Sequence, residues 1–296
     1  MFELQPHLRA AMSGDPDFRA VLWEVGGLEK SRVDPALWLA PEELVEMEAL
    51  RGEKRRREWL AARVALKGLL LADGVVAAPA TAIVRKDAAG APRLVVYEPD
   101  TGRYEVRGCS ISHSGAYVLC AYTPGRHGRV GVDIERRTWR MLYLRRKYAN
   151  KADRLLDPPD SIGAGTLVWS LKESLSKLVG TGMGCGFPKL VCNETEPGRC
   201  EMFDPAGAPH RGRYEWLERY ALTAVADPPD AAAAPAPPPR RGLLERLARK
   251  RRLKRLRRER AMREREAAKE TAGAPEGAPA GDWCNREESN LHASRH

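Results

Sequence analysis

The stretch "PPDAAAAPAPPP" (228–239) limits what this chain folds into. Proline removes a backbone donor and fixes φ, and alanine has little side chain to bury, so such a run is a spacer without core residues. It divides 296 residues into a core-forming part and a tail. The formal charge of +10 belongs to the tail: residues 240–270 hold 15 Lys or Arg against 5 Asp or Glu, so the rest of the chain sums to zero. Any polyanion-binding role is confined to that basic segment, whose composition favours helix but leaves little apolar surface to bury. The final residues, "TAGAPEGAPAGDWCNREESNLHASRH", read as disordered.

Ahead of the spacer, apolar periodicity switches repeatedly between strand and helix. "FRAVLWEVGG" (18–27) reads as a strand, and "PEELVEMEALRGEKRRREWLAARVALKGLLLADG" (41–74) as a helix in two pieces with a break at Gly52. Residues 82–97 read as a hairpin around Gly90 and Pro92, and "GCSISHSGAYVLCAY" (108–122) as strand, turn and strand with the turn at Ser114-Gly115. "RVGVDIERR" (129–137) is a strand, 139–156 is helical, 166–180 is a further helix, and 212–227 is a final strand or hairpin. No run of 18 apolar residues exists, and the N-terminus lacks a basic segment followed by a long apolar one. A cytoplasmic protein without a membrane span is the expectation. The six cysteines (109, 120, 185, 192, 200 and 284) form no C-x-x-C pair. Cys185, Cys192, Cys200 and His210 are a possible metal group, against which stands the reading of scattered reduced thiols.

"LVWSLKESLSKLVG" (167–180) admits two readings. At about 100° per residue, Val168, Leu171, Leu175, Leu178 and Val179 gather on one side as a core stripe. Trp169, Glu173, Lys177 and Gly180 recur on the other. A solvated face with a Glu→Lys pair at i, i+4 is one reading, worth about 0.2–0.5 kcal/mol. The tryptophan argues for a face held for chemistry. In "GVDIE" (131–135), strand alternation sends Val132 and Ile134 to one side and Asp133 and Glu135 to the other. On a wet face both acids are solvated at little cost. The alternative is that a hard cation such as Mg²⁺ holds them, with Glu173 as a third oxygen donor.

"VGVDIE" followed by "WSLKESLSK" resembles the paired signature of the 4′-phosphopantetheinyl transferases, and "SISHSG" upstream resembles a further motif of the surfactin-type (Sfp-type) branch. "WLAARVALKGLL" is similar to that branch's N-terminal helix. The resemblance covers roughly 40–227, with the motifs in order and at similar spacing. It implies an α+β fold of two similar α/β half-domains in one chain, related by a pseudo-twofold: 1–125, and 126–228 with the metal site. The spacer 229–239 and the basic tail 240–296 follow. A faint repeat agrees with two halves, since "WLAARVALK" (59–67) and "WSLKESLSK" (169–177) share a Trp, a charged residue four later and a Lys four after that.

The resemblance also implies a reaction. The 4′-phosphopantetheine arm of coenzyme A passes to a serine of an apo carrier protein, acyl or peptidyl, and adenosine 3′,5′-bisphosphate leaves. Asp133, Glu135 and Glu173 match the acids that hold Mg²⁺ against the CoA diphosphate. Glu173 is also matched as acceptor of the serine proton, and Lys177 as the lysine beside the diphosphate. His113 matches the histidine on the 3′-phosphate, Ser112 lies beside it, and Arg63 matches an arginine that reaches a CoA phosphate. One departure stands out: "GAP" (90–92) has Ala91 where relatives often carry lysine, with Arg93 or Lys86 as substitutes. A monomeric core is expected. The competing class is a nucleic-acid or acidic-surface binder acting through 240–270, whose affinity would fall steeply with salt.

Overall fold

The computed structural model describes residues 8–12, 15, 17–87, 90–98, 102–124, 128–156, 158 and 160–227. The chain separates into a unit of Met1–Pro235 and a second of Ala236–His296. The spacer and basic tail expected over 229–296 lie outside the described residues.

The strands form two antiparallel sheets. The first contains β1 (Leu8–Ala11), β2 (Arg19–Glu24), β3 (Ala82–Lys86), β4 (Pro92–Glu98), β5 (Arg103–Ser114) and β6 (Tyr117–Tyr122), in the order β1-β2-β6-β5-β4-β3. The second contains β7 (Val130–Arg136), β8 (Val191–Glu196), β9 (Arg199–Phe203), β10 (Pro209–Leu217) and β11 (Tyr220–Ala226), in the order β7-β11-β10-β9-β8. Helices α1 (Gly27–Lys30), α2 (Pro35–Trp38), α3 (Pro41–Glu48) and α4 (Glu53–Ala72) fall within the first run of strands. Helices α5 (Arg140–Tyr148) and α6 (Ser161–Leu178) fall within the second.

Strand alternation builds the layers. On β2, Val21 and Trp23 pack with Val64, Leu66 and Leu70 of α4, while Ala20 and Leu22 turn the other way. They meet Val132 and Ile134 of β7 and Leu222 and Ala224 of β11, so the two sheets share a core. A third core joins α6 to the far face of the second sheet through Leu171, Leu175, Leu178, Cys192, Met202 and Val225. The sequence from one side to the other is therefore α4, first sheet, second sheet, α6. Gly131 makes the last contact possible. A Cβ there would lie 1.9 Å from Ser174 O and 2.7 Å from Leu178 N, so only glycine lets the α6 backbone come this close to β7.

The break expected at Gly52 is present: α3 ends at Glu48, Gly52 has φ 88°, and α4 starts at Glu53. The hairpins at 82–97 and 108–122 are present as β3–β4 and β5–β6. Other expectations shift. The helix expected over 139–156 stops at Tyr148, because Ala149 turns extended and Asn150 and Asp153 close a turn in which Asn150 N–H donates to Asp153 Oδ2 at 2.7 Å. The α6 helix begins five residues earlier than read, capped where Gly163 N–H donates to the Asp160 carboxylate at 2.7 Å. β4 and β5 pair antiparallel, with Glu98 opposite Arg103. β8 and β9 add a hairpin for which the sequence analysis holds no expectation, although Pro197-Gly198 marks its turn.

Two buried lysines do parallel work. Lys67 of α4 donates to Trp38 O at 2.8 Å and pairs with Glu43. Lys172 of α6 donates to Tyr148 O at 2.8 Å and pairs with Asp153 at 2.8 Å. Each ties a long helix to the last residue of a short one. The nine-residue repeat set Lys67 against Lys177, but the partner in function is Lys172.

Candidate functional site

The site forms where β7 is covered by α6. The alternation read from "GVDIE" holds, but the face of Asp133 is not wet. Val132 and Ile134 enter the core between the sheets, and Asp133, 5% exposed, lies under α6. Asp133 Oδ1 accepts from Ser112 Oγ at 2.7 Å and from Lys177 Nζ at 2.8 Å, and Oδ2 accepts from Ser170 Oγ at 2.9 Å. Below it, Thr223 Oγ1 lies 2.9 Å from Ser170 Oγ and 2.7 Å from Ser174 Oγ. This buried hydroxyl network fixes the carboxylate without adding charge.

β7 is an edge strand, so part of its backbone lacks ladder partners. Side chains supply them: Val132 N–H donates to Ser110 Oγ at 2.9 Å, and Lys177 Nζ donates to Val132 O at 2.9 Å. Ser110 and Ser112, two apart on β5, both point at β7. His113 takes the opposite face of β5, where its Nε2 lies 3.5 Å from Glu58 Oε2 of α4 and its side chain is 60% exposed. Ser112 and His113 are neighbours in sequence but serve different sides of their strand.

The three acids are electrostatically joined. Burial, then Asp133, then Glu173 push the Glu135 carboxyl up to about 7, against the Arg136 backbone N–H and Arg140. Burial and then Asp133 raise Glu173, against Lys177 and a bond from Ser176. Two carboxyls raised by burial and by the charge of Asp133 are short of positive charge. The donor set is all oxygen, which fits a hard divalent cation. It is not a finished cage: among the described residues, no three His, Cys, Asp or Glu stand close enough together to hold a metal. Of the thiol–imidazole group, the side chain of Cys185 lies outside the described residues. Cys192 and Cys200 are buried free thiols, and His210 is buried between Asp227 at 3.4 Å and Asp204 at 3.9 Å.

The structure thus brings together Ser112, Asp133 and Lys177 in direct contact, with Glu135 and Glu173 in their field. Arg63 is 5% exposed on α4, its guanidinium 4.1 Å from the Trp59 ring centroid and its Nε 3.8 Å from Glu43 Oε1. Burial lowers its pKa. Ala91 lies in the β3–β4 turn, where Asp87 N–H donates to Ala91 O at 2.9 Å, and Arg93 pairs with Asp87 at 3.1 Å. Sequence reasoning missed Ser170, Ser174 and Thr223. The signal was present in the serines at i, i+4 on α6, on neither the leucine stripe nor the Glu173 face. It also missed Trp139 and Tyr143 at the start of α5. These are 65% and 77% exposed and stacked edge-on at 4.9 Å, beside Arg140, Arg145, Arg146 and Lys147.

Residues 129–225 match the model of the 4′-phosphopantetheinyl transferase superfamily. The match spans β7 to β11 and includes Asp133, Glu135, Glu173 and Lys177. It supports that superfamily for the half of the fold that carries the acids. No curated protein matches the chain. Among solved structures, the crystal structure of a holo-ACP-synthase from Plasmodium yoelii is similar at 18% identity, over 36% of this chain and 91% of that one, with a TM-score of 0.31.

Proposed function

We propose that this chain is a 4′-phosphopantetheinyl transferase of the surfactin type. It moves the phosphopantetheine arm of CoA to a serine of an apo carrier protein and releases adenosine 3′,5′-bisphosphate. The observation that carries this reading is the buried Asp133, fixed by Ser112, Ser170 and Lys177, beside Glu135 and Glu173, which make no ion pair among the described residues; the three acids and Lys177 lie within the span that matches the superfamily.

Asp133, Glu135 and Glu173 would hold Mg²⁺. Bound there, the metal would offset the charge of the CoA diphosphate. Asp133 is positioned by its hydroxyl donors before any substrate arrives. Glu173, raised by burial and by Asp133, is a base closer to neutral pH than an exposed glutamate, which suits acceptance of the serine proton. Lys177 supplies positive charge to the departing phosphate. His113, exposed and set against Glu58, offers an imidazole to the 3′-phosphate, with Arg63 and Ser112 as further CoA residues in this reading. The exposed aromatic and basic face of α5 suits an acidic carrier protein beside the acids. A monomeric cytoplasmic enzyme belongs to the same proposal.

The test is to incubate the protein with CoA, MgCl₂ and several apo carrier proteins. A mass gain equal to the phosphopantetheine arm on the carrier serine is expected. No gain on any carrier, with the protein folded, overturns the reading.

A further inference from the structure

Lys177 has more to do than meet a phosphate. Its ammonium donates to Asp133 Oδ1 at 2.8 Å and to Val132 O at 2.9 Å. A carboxylate oxygen offers two lone pairs. Those of Asp133 Oδ1 are both taken, by Lys177 Nζ and by Ser112 Oγ at 2.7 Å. Oδ2 faces Ser170, which is fully buried. Among the described residues, the only ion pair made by the three acids is Lys177–Asp133. Lys177 therefore stands where positive charge is most needed, and a cation reaching Asp133 Oδ1 meets an ammonium first. Ser112 is a poor candidate to yield, because it is held on a central strand of the first sheet. Lys177 sits in the last turn of α6 with its side chain 29% exposed, so its four-carbon stem has room to swing outward.

We propose that Lys177 plugs the acid cluster in the metal-free protein: a divalent cation displaces its ammonium from Asp133, and the displacement frees Lys177 to meet the CoA diphosphate. The lysine would then act in sequence at two places. It would neutralise Asp133 while the site waits, and it would become available to phosphate only once the metal is in. This rests on the metal reading of the three acids. It adds that metal and lysine compete for one oxygen.

The experiment is calorimetric titration of MnCl₂ into the full chain at about pH 8, without CoA, for wild type, K177M and K177R. Loss of the competing charge should make K177M bind Mn²⁺ about tenfold tighter or more, while K177R stays near wild type. Should K177M fail to fold by circular dichroism, K177Q serves in its place. Footprinting of the wild type with an amine-acylating reagent gives a readout independent of any variant: labelling of Lys177 should rise when Mn²⁺ is added. Equal or weaker binding by K177M, or labelling that does not change, overturns the plug and leaves the metal reading standing. Absence of Mn²⁺ binding in all proteins removes the metal reading and the plug together.

Discussion

Ser112 Oγ donates to Asp133 Oδ1 at 2.7 Å, and through that bond the strand bearing "SISHS" fixes the acid of "GVDIE" on the other sheet. Two motifs 21 residues apart in sequence are one device in space. The bond also changes what mutation of Asp133 means. A wet-face acid is removed at no structural cost; this one is buried and has three side-chain donors.

Asp133→Ala should abolish transfer and also lose stability, by about 1–3 kcal/mol, because Lys177, Ser112 and Ser170 lose their acceptor. Urea titration measures the second effect and a transfer assay on the folded fraction the first. Unchanged turnover would remove Asp133 from the site, and unchanged stability would contradict the hydroxyl network.

Glu135 gives a pH signature. Its folded pKa is about 7, raised from an ordinary value of 4.5 by burial, Asp133 and Glu173. Between those values the folded chain binds more protons than the unfolded chain, so its contribution to stability is full below about pH 4.5 and lost as pH rises through 7. Glu135→Gln should therefore raise the melting temperature of the metal-free protein more at pH 8 than at pH 5. A difference that is flat with pH, or larger at pH 5, counts against the assignment.

Glu173→Gln keeps the shape of the side chain but cannot accept a proton at neutral pH. With CoA and Mg²⁺ saturating, kcat should fall about 10²–10⁴-fold if the carboxylate is the base. The solvated-face alternative expects normal kcat and a stability change of about 0.2–0.5 kcal/mol. Stopped-time mass spectrometry of the carrier distinguishes them.

Lys172 is one residue from Glu173 and serves as its control. It is fully buried, and Lys172→Met leaves Asp153 in a site 10% exposed without its cation. The loss should be about 3–5 kcal/mol of stability, with turnover per folded molecule close to wild type. A large fall in kcat without loss of stability would place Lys172 in the chemistry instead.

The α5 face predicts a split between substrates. Replacing Trp139 with Ala and Arg146 with Glu together should raise KM for the carrier by about tenfold and leave KM for CoA near wild type. These side chains are exposed, so thermal melts should move little. Equal effects on both substrates would argue against carrier docking there.

Local chemistry was readable without the structure. Gly52 broke the long helical pattern, Gly115 turned β5 into β6, and alternation in "GVDIE" separated Asp133 and Glu135 from Val132 and Ile134. Each of these depends on φ preferences or a repeat of two, which neighbours in sequence decide. The leucine stripe of α6 was legible for the same reason. Which of its polar residues face a partner was not. Lys172 closes on Asp153 and Tyr148, Lys177 on Asp133 and Val132, and Ser170 and Ser174 on Thr223.

Those partners are 19 to 53 residues away, and no periodicity carries information over that distance. Those of Lys177 are set by how closely α6 lies on β7, an approach that depends on the missing Cβ of Gly131, and those of Lys172 by how α6 packs on α5 and the turn after it. The sequence by itself determined the strands, the helices and the types of residue available for the site. Packing of α6 across an edge strand decided which of them are buried, which pair, and that Asp133 waits with a lysine already on its oxygen.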